Sequence, residues 1–304
     1  LDAAIFYVGH GPNNQVGNSF GGTIDEVAIY DYALTDVRIA AHADAFSAPW
    51  DGDTSGERIE RLLDLIGWPD ADRDVDTGDS TLDSANLNMS ALAHAQLVTD
   101  SEYGELWITP DGLVKFLSRT NKLTLGTPEA TFSDDGADTG YTQLGADYSD
   151  QQIRNRVTIA RAAGLSFTAN STGSQDQFFI QSYSKTGLVH DSDIQSRDQA
   201  NYIMNVYDQP LFRFDDLTVR PQKTPATWFP VVLGLDLVDR VNVERTPQDV
   251  GTAIDSNFVI EGVRHTIRPK LWETTYYVSP ADTPGAFILD STSQGILDTN
   301  RLGF

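Results

Sequence analysis

The chain contains no cysteine. Disulfides, thiolate nucleophiles and cysteine-based zinc sites are therefore excluded. Positive charge is scarce as well. Among 304 residues, 21 Lys and Arg face 44 Asp and Glu, a formal net charge of −23. So acidic a surface repels phosphate backbones and anionic lipid headgroups, which disfavours direct nucleic-acid binding and membrane adsorption. Long hydrophobic runs are also missing. The longest, Phe229–Leu235, falls well short of the ~20 apolar residues of a bilayer-spanning helix, so no membrane insertion through a helix is expected. The sequence shows no repeat at a period of about 20–50 residues and no glycine pattern of a nucleotide-binding loop.

What the chain does contain is enough apolar material for real cores: 40% hydrophobic and 10% aromatic residues. The acidity comes from 35 Asp against only 9 Glu. Asp favours turns and helix N-caps whereas Glu favours helix interiors, so the excess points to many loops between strands. The fold class expected is mainly β with a few short helices.

Four regions follow along the chain. Residues 1–47 read as the end of a β-sandwich. Ile5–Val8 and the alternating Thr23–Tyr30 are its strands, and Thr35 caps a short helix reaching about Ala45. The abrupt entry into a strand at Ala3–Val8 leads us to expect further residues upstream. Residues 48–150 read as an α+β region. Ser47–Gly56 is a linker, and Glu57–Gly67 a helix with Ile59, Leu62, Leu63 and Ile66 on one face. Asp70–Asp79 is an acidic loop, and Ser90 caps a helix to about Tyr103. Glu105–Ser118 is a hairpin turning at Pro110-Asp111-Gly112, and residues 127–150 are loop.

Residues 151–280 read as a β-barrel region with one helix. Strands are expected at Arg154–Arg161, Gln177–Tyr183, Phe212–Val219, Val231–Leu237, Arg240–Val243, Asn257–Ile267 and Glu273–Val278, and the helix at Asp191–Tyr207. Residues 281–304 form a C-terminal extension.

Candidate chemistry is sparse. Gly17-Asn-Ser19-Phe-Gly21 fits the G-x-S-x-G pattern of a nucleophile elbow. That motif needs a buried strand before it and a helix after it. Here a polar turn precedes and a strand follows, so Ser19 is assigned no catalytic role. Asp72, Asp74 and Asp76 alternate as oxygen ligands of a calcium loop do, yet position six lacks the glycine and position twelve lacks the glutamate. A solvated acidic connector is the alternative. The five histidines, His10, His42, His94, His190 and His265, are dispersed and contain no H-E-x-x-H. A paired-carboxylate hydrolase site is a spatial arrangement that no spacing reveals. Trp50, Trp68, Trp107, Trp228 and Trp272 are candidates for stacking on sugars or for the core. No catalytic residue, metal or cofactor is assigned.

Two resemblances sharpen this reading. Phe20-Gly-Gly-Thr-Ile-Asp-Glu-Val-Ala-Ile-Tyr-Asp-Tyr-Ala-Leu-Thr35 resembles the closing strand and helix of laminin-G/concanavalin-like sandwiches. A second set of blocks, in order along residues 55–304, resembles minor tail and baseplate-hub proteins of long-tailed phages of actinobacteria. These blocks are Gly56–Pro69, Glu102–Phe116, Asn155–Arg161, Leu217–Val219, Leu235–Val243, Val259–Ile267 and Gly295–Phe304. The resemblance implies a structural protein of the virion at the distal end of the tail. It implies a homotrimeric ring capping the tail tube, partnered by other tail-tip and tail-tube proteins and needing no cofactor. The sandwich end is then a candidate contact with host-surface glycan. A secreted glycan-binding adhesin and a tail-associated cell-wall hydrolase are the alternatives.

Overall fold

In a computed structural model, residues 49–281 are described except 86–87, 124–125, 135–139, 148–150, 211–212 and 247–253; beyond that span only 22, 27, 29–36, 38–39, 43, 286–287 and 301–302 are described. The chain divides into two compact units, Leu1–Ser47 and Ala48–Phe304. In the first, Thr35 caps a helix as expected: its Oγ1 accepts from Arg38 N at 3.3 Å and its carbonyl from Ile39 N at 3.0 Å. Ile5–Val8, Ser19, His10 and His42 lie outside the described residues. Of the expected strand Thr23–Tyr30, only Val27, Ile29 and Tyr30 are described, and none of these is in a strand.

The second unit is mainly β and builds three cores. The first holds helix α1 (Ser55–Ile66), helix α2 (Ala91–Glu102) and a small sheet. Helix α1 begins two residues earlier than the apolar spacing indicates, because Thr54 and Glu57 form a capping box. Thr54 Oγ1 accepts from Glu57 N at 3.2 Å, and Glu57 Oε2 accepts from Thr54 N at 2.9 Å. Gly67 ends the helix in the left-handed conformation (φ 73°), and Trp68 N reaches back to Leu63 O at 2.9 Å. Ser90 caps α2 and left-handed Tyr103 closes it, as the sequence indicates.

The acidic stretch is not all loop. Asp70–Asp72 is a short 3₁₀ turn and Arg73–Val75 is strand β1. Strands β2 (Glu105–Ile108) and β3 (Val114–Leu117) form the expected hairpin, and β1 adds to β3 in parallel, giving the order β1-β3-β2. Ile59, Leu62, Leu82, Val98, Val114 and Phe116 fill this core. A short helix, α3 (Arg119–Leu123), follows.

The second core packs helix α5 (Asp193–Tyr207) on a three-stranded sheet ordered β7-β6-β8, where β6 is Arg156–Arg161, β7 Ser166–Asn170 and β8 Ser182–Leu188. Val157, Ile159 and Leu188 of the sheet meet Ala200 and Ile203 of the helix. The strand expected at Gln177–Tyr183 is corrected. Residues Thr172–Phe178 form helix α4, and β8 starts only at Ser182. The cause is buried Asn155. Its Nδ2 donates to Phe179 O (2.7 Å) and Ser174 Oγ (3.1 Å), and its Oδ1 accepts from Gln181 N (2.8 Å), which folds the chain into a turn between α4 and β8. That turn leaves Phe179 at φ 59°, ψ −179°, a region costly for any residue but glycine, with 82% of its surface exposed. Phe179→Gly is expected to raise stability by about 1 kcal/mol, read from the denaturation midpoint at unchanged slope.

The third core is a six-stranded sheet ordered β4-β10-β11-β12-β9-β5. These strands are β4 (Ala130–Phe132), β5 (Gln143–Asp147), β9 (Arg213–Val219), β10 (Arg240–Arg245), β11 (Ile254–Arg268) and β12 (Leu271–Pro280). An isolated bridge between Ser133 and Gly140 links the chain just past β4 to the chain just before β5, so the sheet curls back on itself. One face of every strand feeds the interior: Phe132, Leu144, Phe214, Leu217, Val241, Val243, Phe258, Ile260 and Tyr276 all contribute. Strands β4 and β5 fall in the stretch expected to be loop. They are short, and their identity comes from pairing, Val241↔Ala130 and Gln143↔Thr218, rather than from local pattern.

The expected strand Val231–Leu237 is also corrected. It lies largely within helix α6 (Pro225–Gly234), which starts on a proline suited to the first turn and buries Trp228 and Val232, four apart, on the open end of the sheet. The Trp228 ring stacks on Phe132 at 5.8 Å. Trp228→Ala is expected to cost about 3–5 kcal/mol in thermal or chemical unfolding. Near the C-terminus, Ala286–Phe287 pairs in parallel with Arg301–Leu302.

Candidate assembly surfaces

The residues singled out as possible cation ligands are engaged elsewhere. Asp74 lies in β1 opposite Lys115, whose Nζ is 3.3 Å from Asp74 Oδ2. Asp76 Oδ2 accepts from Ser118 N at 2.8 Å. Asp72 is exposed, and its carbonyl accepts from Trp68 Nε1 at 3.2 Å. The three carboxylates fall in three different settings, the end of the 3₁₀ turn, strand β1 and the residue after it, and Asp74 and Asp76 are each taken by a separate partner. Among the described residues, no group of three His, Asp or Glu is placed to hold a metal ion.

The described histidines are far apart in function. His94 is buried with Nε2 3.4 Å from Arg58 Nη1. His265 sits 2.9 Å from Thr274 Oγ1, beside the Trp272 ring. His190 is buried between Ser101 O (2.7 Å from Nε2) and Ser196 Oγ (2.9 Å from Nδ1). Because a carbonyl only accepts, Nε2 carries the proton and Nδ1 accepts from the serine. Burial holds the His190 pKa below its ordinary value of 6.5, outweighing the carbonyl that favours the charged form. The unfolded chain thus binds the proton more readily. The stability contributed by neutral His190 is complete above pH about 6.5 and is lost as pH falls from there through the lower folded value. His190→Gln is expected to flatten that acid limb in a pH series of melting temperatures.

The buried polar groups organise the surface rather than line a cleft. Arg58, fully buried, pairs with Asp53 at 3.1 Å and donates to Trp50 O and to Asp83 O. Burial pulls its pKa below the ordinary arginine value, against the pull of Asp53. Glu102, also fully buried, accepts from Ser55 Oγ (2.8 Å), Ser80 N (2.8 Å), Asp79 N (3.1 Å) and Arg119 N (3.3 Å). Lys122 Nζ lies 2.6 Å from Glu105 of the hairpin and 3.8 Å from Glu261 of β11, tying the first core to the six-stranded sheet. Burial disfavours its charge, but the two carboxylates keep its pKa above the ordinary lysine value.

What remains exposed is apolar or charged surface of the kind that assembles. A groove of about 570 Å³ runs between α1, α2 and the β2–β3 hairpin, lined by Leu63, Ile66, Trp68, Leu92, Trp107 and Ile108. Trp68 and Trp107, flagged in the sequence, line this groove. Trp228 is core, Trp272 packs on Phe229 (5.1 Å), and Trp50 lies under the Arg58 guanidinium (5.7 Å). Asp100 and Glu105 stand among its apolar lining. The groove draws on residues from 59 to 114, so no local pattern announces it.

No family model and no curated protein matches the sequence. The chain shares its fold with a tail protein from Neisseria meningitidis MC58: the TM-score is 0.50 at 17% identity over 76% of this chain and 69% of that one. A 43 kDa tail protein of prophage MuSo2 from Shewanella oneidensis gives 0.49 at 10% identity, over 79% and 70% of the two chains. A chain in the virion of a native gene transfer agent particle gives 0.48 at 13%, over 84% and 56%.

Proposed function

We propose that this chain is a structural component of a phage tail, acting at the tail tip as a baseplate-hub or minor tail protein. In this reading, copies form a homotrimeric ring that caps the tail tube at the distal end of the virion. Other tail proteins are its partners, and residues 1–47 belong to a sandwich that touches host-surface glycan. The observation that carries the reading is the fold shared with the Neisseria tail protein. The ordered sequence blocks support it. Gly56–Pro69 falls on α1, Glu102–Phe116 on the hairpin, Asn155–Arg161 on β6, Leu217–Val219 on β9, Leu235–Val243 on β10 and Val259–Ile267 on β11. All six lie in one compact unit. A tail ring works by rigid surfaces that fit between neighbouring copies, so the role calls for neither catalytic group nor cofactor.

Immunogold labelling of particles from the source culture, with an antibody against residues 151–304, tests this. Gold is expected at the distal end of tails. Gold on cells or in soluble fractions, with none on particles, overturns the reading and favours the secreted adhesin.

A further inference from the structure

Cations on this chain are few, and about half of them pair with carboxylates among the described residues. One end of the six-stranded sheet departs from that pattern. Strand β11 leaves the sheet at an irregularity between Ile260 and Gly262, and β10 pairs with it only as far as Val259. Strand β12 meets β9 only from Thr274 onward. Thr266–Arg268 and Leu271–Glu273 therefore extend past β9 as a two-stranded ribbon, with Arg264 at its base. Its inner side is anchored by Trp272, whose ring packs on Phe229 and whose backbone N donates to Gln222 Oε1 at 3.3 Å.

Arg264 and Arg268 share the outer side, Lys270 forms the tip, and Lys223 stands beside the ribbon next to Gln222. Among the described residues none of these four has a carboxylate partner; the adjacent Glu273 is taken by Arg220 at 2.6 Å. Ile267 at the tip is 71% exposed. Lys270 is held at φ 66°, a conformation that glycine adopts at less cost. Cations without carboxylate partners at the end of a sheet form a charged surface suited to an acidic partner.

The surface of opposite sign is on the same chain. Around the C-terminal end of α1 and β1, five carboxylates (Glu60, Asp64, Asp70, Asp72 and Asp74) surround only two cations, Arg73 and Lys115. Asp70 is 93% exposed, and Leu65 and Ile66 beside them are 65% and 55% exposed. By register Ile267 lies opposite Trp272 on the side of the ribbon away from Arg264 and Arg268, so what the two patches share is complementary charge. We propose that the basic ribbon at the β11–β12 turn of one copy docks on the acidic α1–β1 corner of a second copy, a head-to-tail contact. This rests on the tail-ring reading and deepens it, because a ring of identical chains requires two different patches that fit each other. At physiological ionic strength, the Debye length of about 8 Å screens the general repulsion between two acidic copies while contact pairs persist. DNA, with a charge every ~1.7 Å of its axis, needs many more phosphate contacts than four cations on one ribbon supply.

Sedimentation equilibrium of the 304-residue chain at physiological salt tests the contact. Self-association is expected, weakened about tenfold or more by Arg264→Glu with Arg268→Glu, and likewise by Asp70→Lys with Asp72→Lys. An equimolar mixture of the two reversed variants is expected to associate again. Lys270→Gly removes a cation and relieves the positive φ, so it is expected to weaken association while leaving the melting temperature unchanged or higher. A monomeric wild-type chain, or wild-type association that the ribbon variants leave intact, overturns the contact. In the second case the tail-tip reading stands, since gold labelling addresses it separately. Duplex DNA retarded by wild type but not by the ribbon variants, with self-association unaffected, also overturns it and assigns the ribbon to nucleic acid.

Discussion

Arg58→Ala is expected to destabilise the larger unit by about 3–5 kcal/mol, visible as a lower denaturation midpoint with unchanged slope. The guanidinium is fully buried and serves four groups at once: the Asp53 carboxylate, Trp50 O, Asp83 O and the face of the Trp50 ring. A planar donor fork can satisfy all of these from one position, which an ammonium cannot. Truncation leaves Asp53 with only the half-exposed Arg61, 2.9 Å away, and leaves two carbonyls without this donor. Breaking such a pair costs more than the pair is worth, because the surviving charge stays buried. Arg58→Lys keeps the charge but loses the fork and is expected to fall about midway. An alanine variant as stable as wild type would show that water replaces the guanidinium without loss.

The elements legible in the sequence are those whose signals are local. Ser90 marks the start of α2, Gly67 ends α1, and Pro110-Asp111-Gly112 sets the hairpin between β2 and β3. Residues 157 and 159 of β6, and 274, 276 and 278 of β12, show the alternation of half-buried strands. What was not legible depends on distant partners. Phe132 is in a strand because β10, more than a hundred residues later, pairs beside it. The apolar run Trp228–Leu233 has the composition of a strand, but the open end of the sheet needs a plug. A helix presenting Trp228 and Val232 supplies one.

The candidate surfaces divide in the same way. The acidic stretch from Asp70 was visible, yet its alternation suggested a cation loop until β1 placed Asp74 against Lys115. The basic end joins residues 220–223 to residues 264–272 through Trp272 and Gln222. In sequence these are two unremarkable clusters on a strongly acidic chain, and only strand register brings them together. The groove likewise takes its walls from two helices and a hairpin. An assembly protein therefore hides its function better than an enzyme with a contiguous motif, because interfaces are made of what the fold leaves uncovered.

Glu102→Ala is expected to cost about 3–5 kcal/mol, and Glu102→Gln markedly less. The carboxylate closes the C-terminal end of α2 and gathers four donors, three of them backbone N–H groups at residues 79, 80 and 119. Each buried donor left unmet costs about 1–3 kcal/mol. The Asp79–Ser80 segment has no regular ladder of its own, so the carboxylate is its substitute for a strand partner. Gln keeps one acceptor oxygen but turns an amide toward donors, and should lose about half of what Ala loses. The same segment sets the chain near Gly78, where an added Cβ would lie 1.8 Å from Ser55 Oγ, the fourth donor to Glu102. Gly78→Ala should then reproduce much of the Glu102→Ala loss, and the double variant should lose less than the sum of the two. Hydrogen exchange at the amides of 79 and 80 separates this account from a general loosening. Those amides are expected to lose protection first in Glu102→Ala, while the amides of β6 and β11 stay protected. Uniform loss across all three cores would instead make Glu102 a global packing residue.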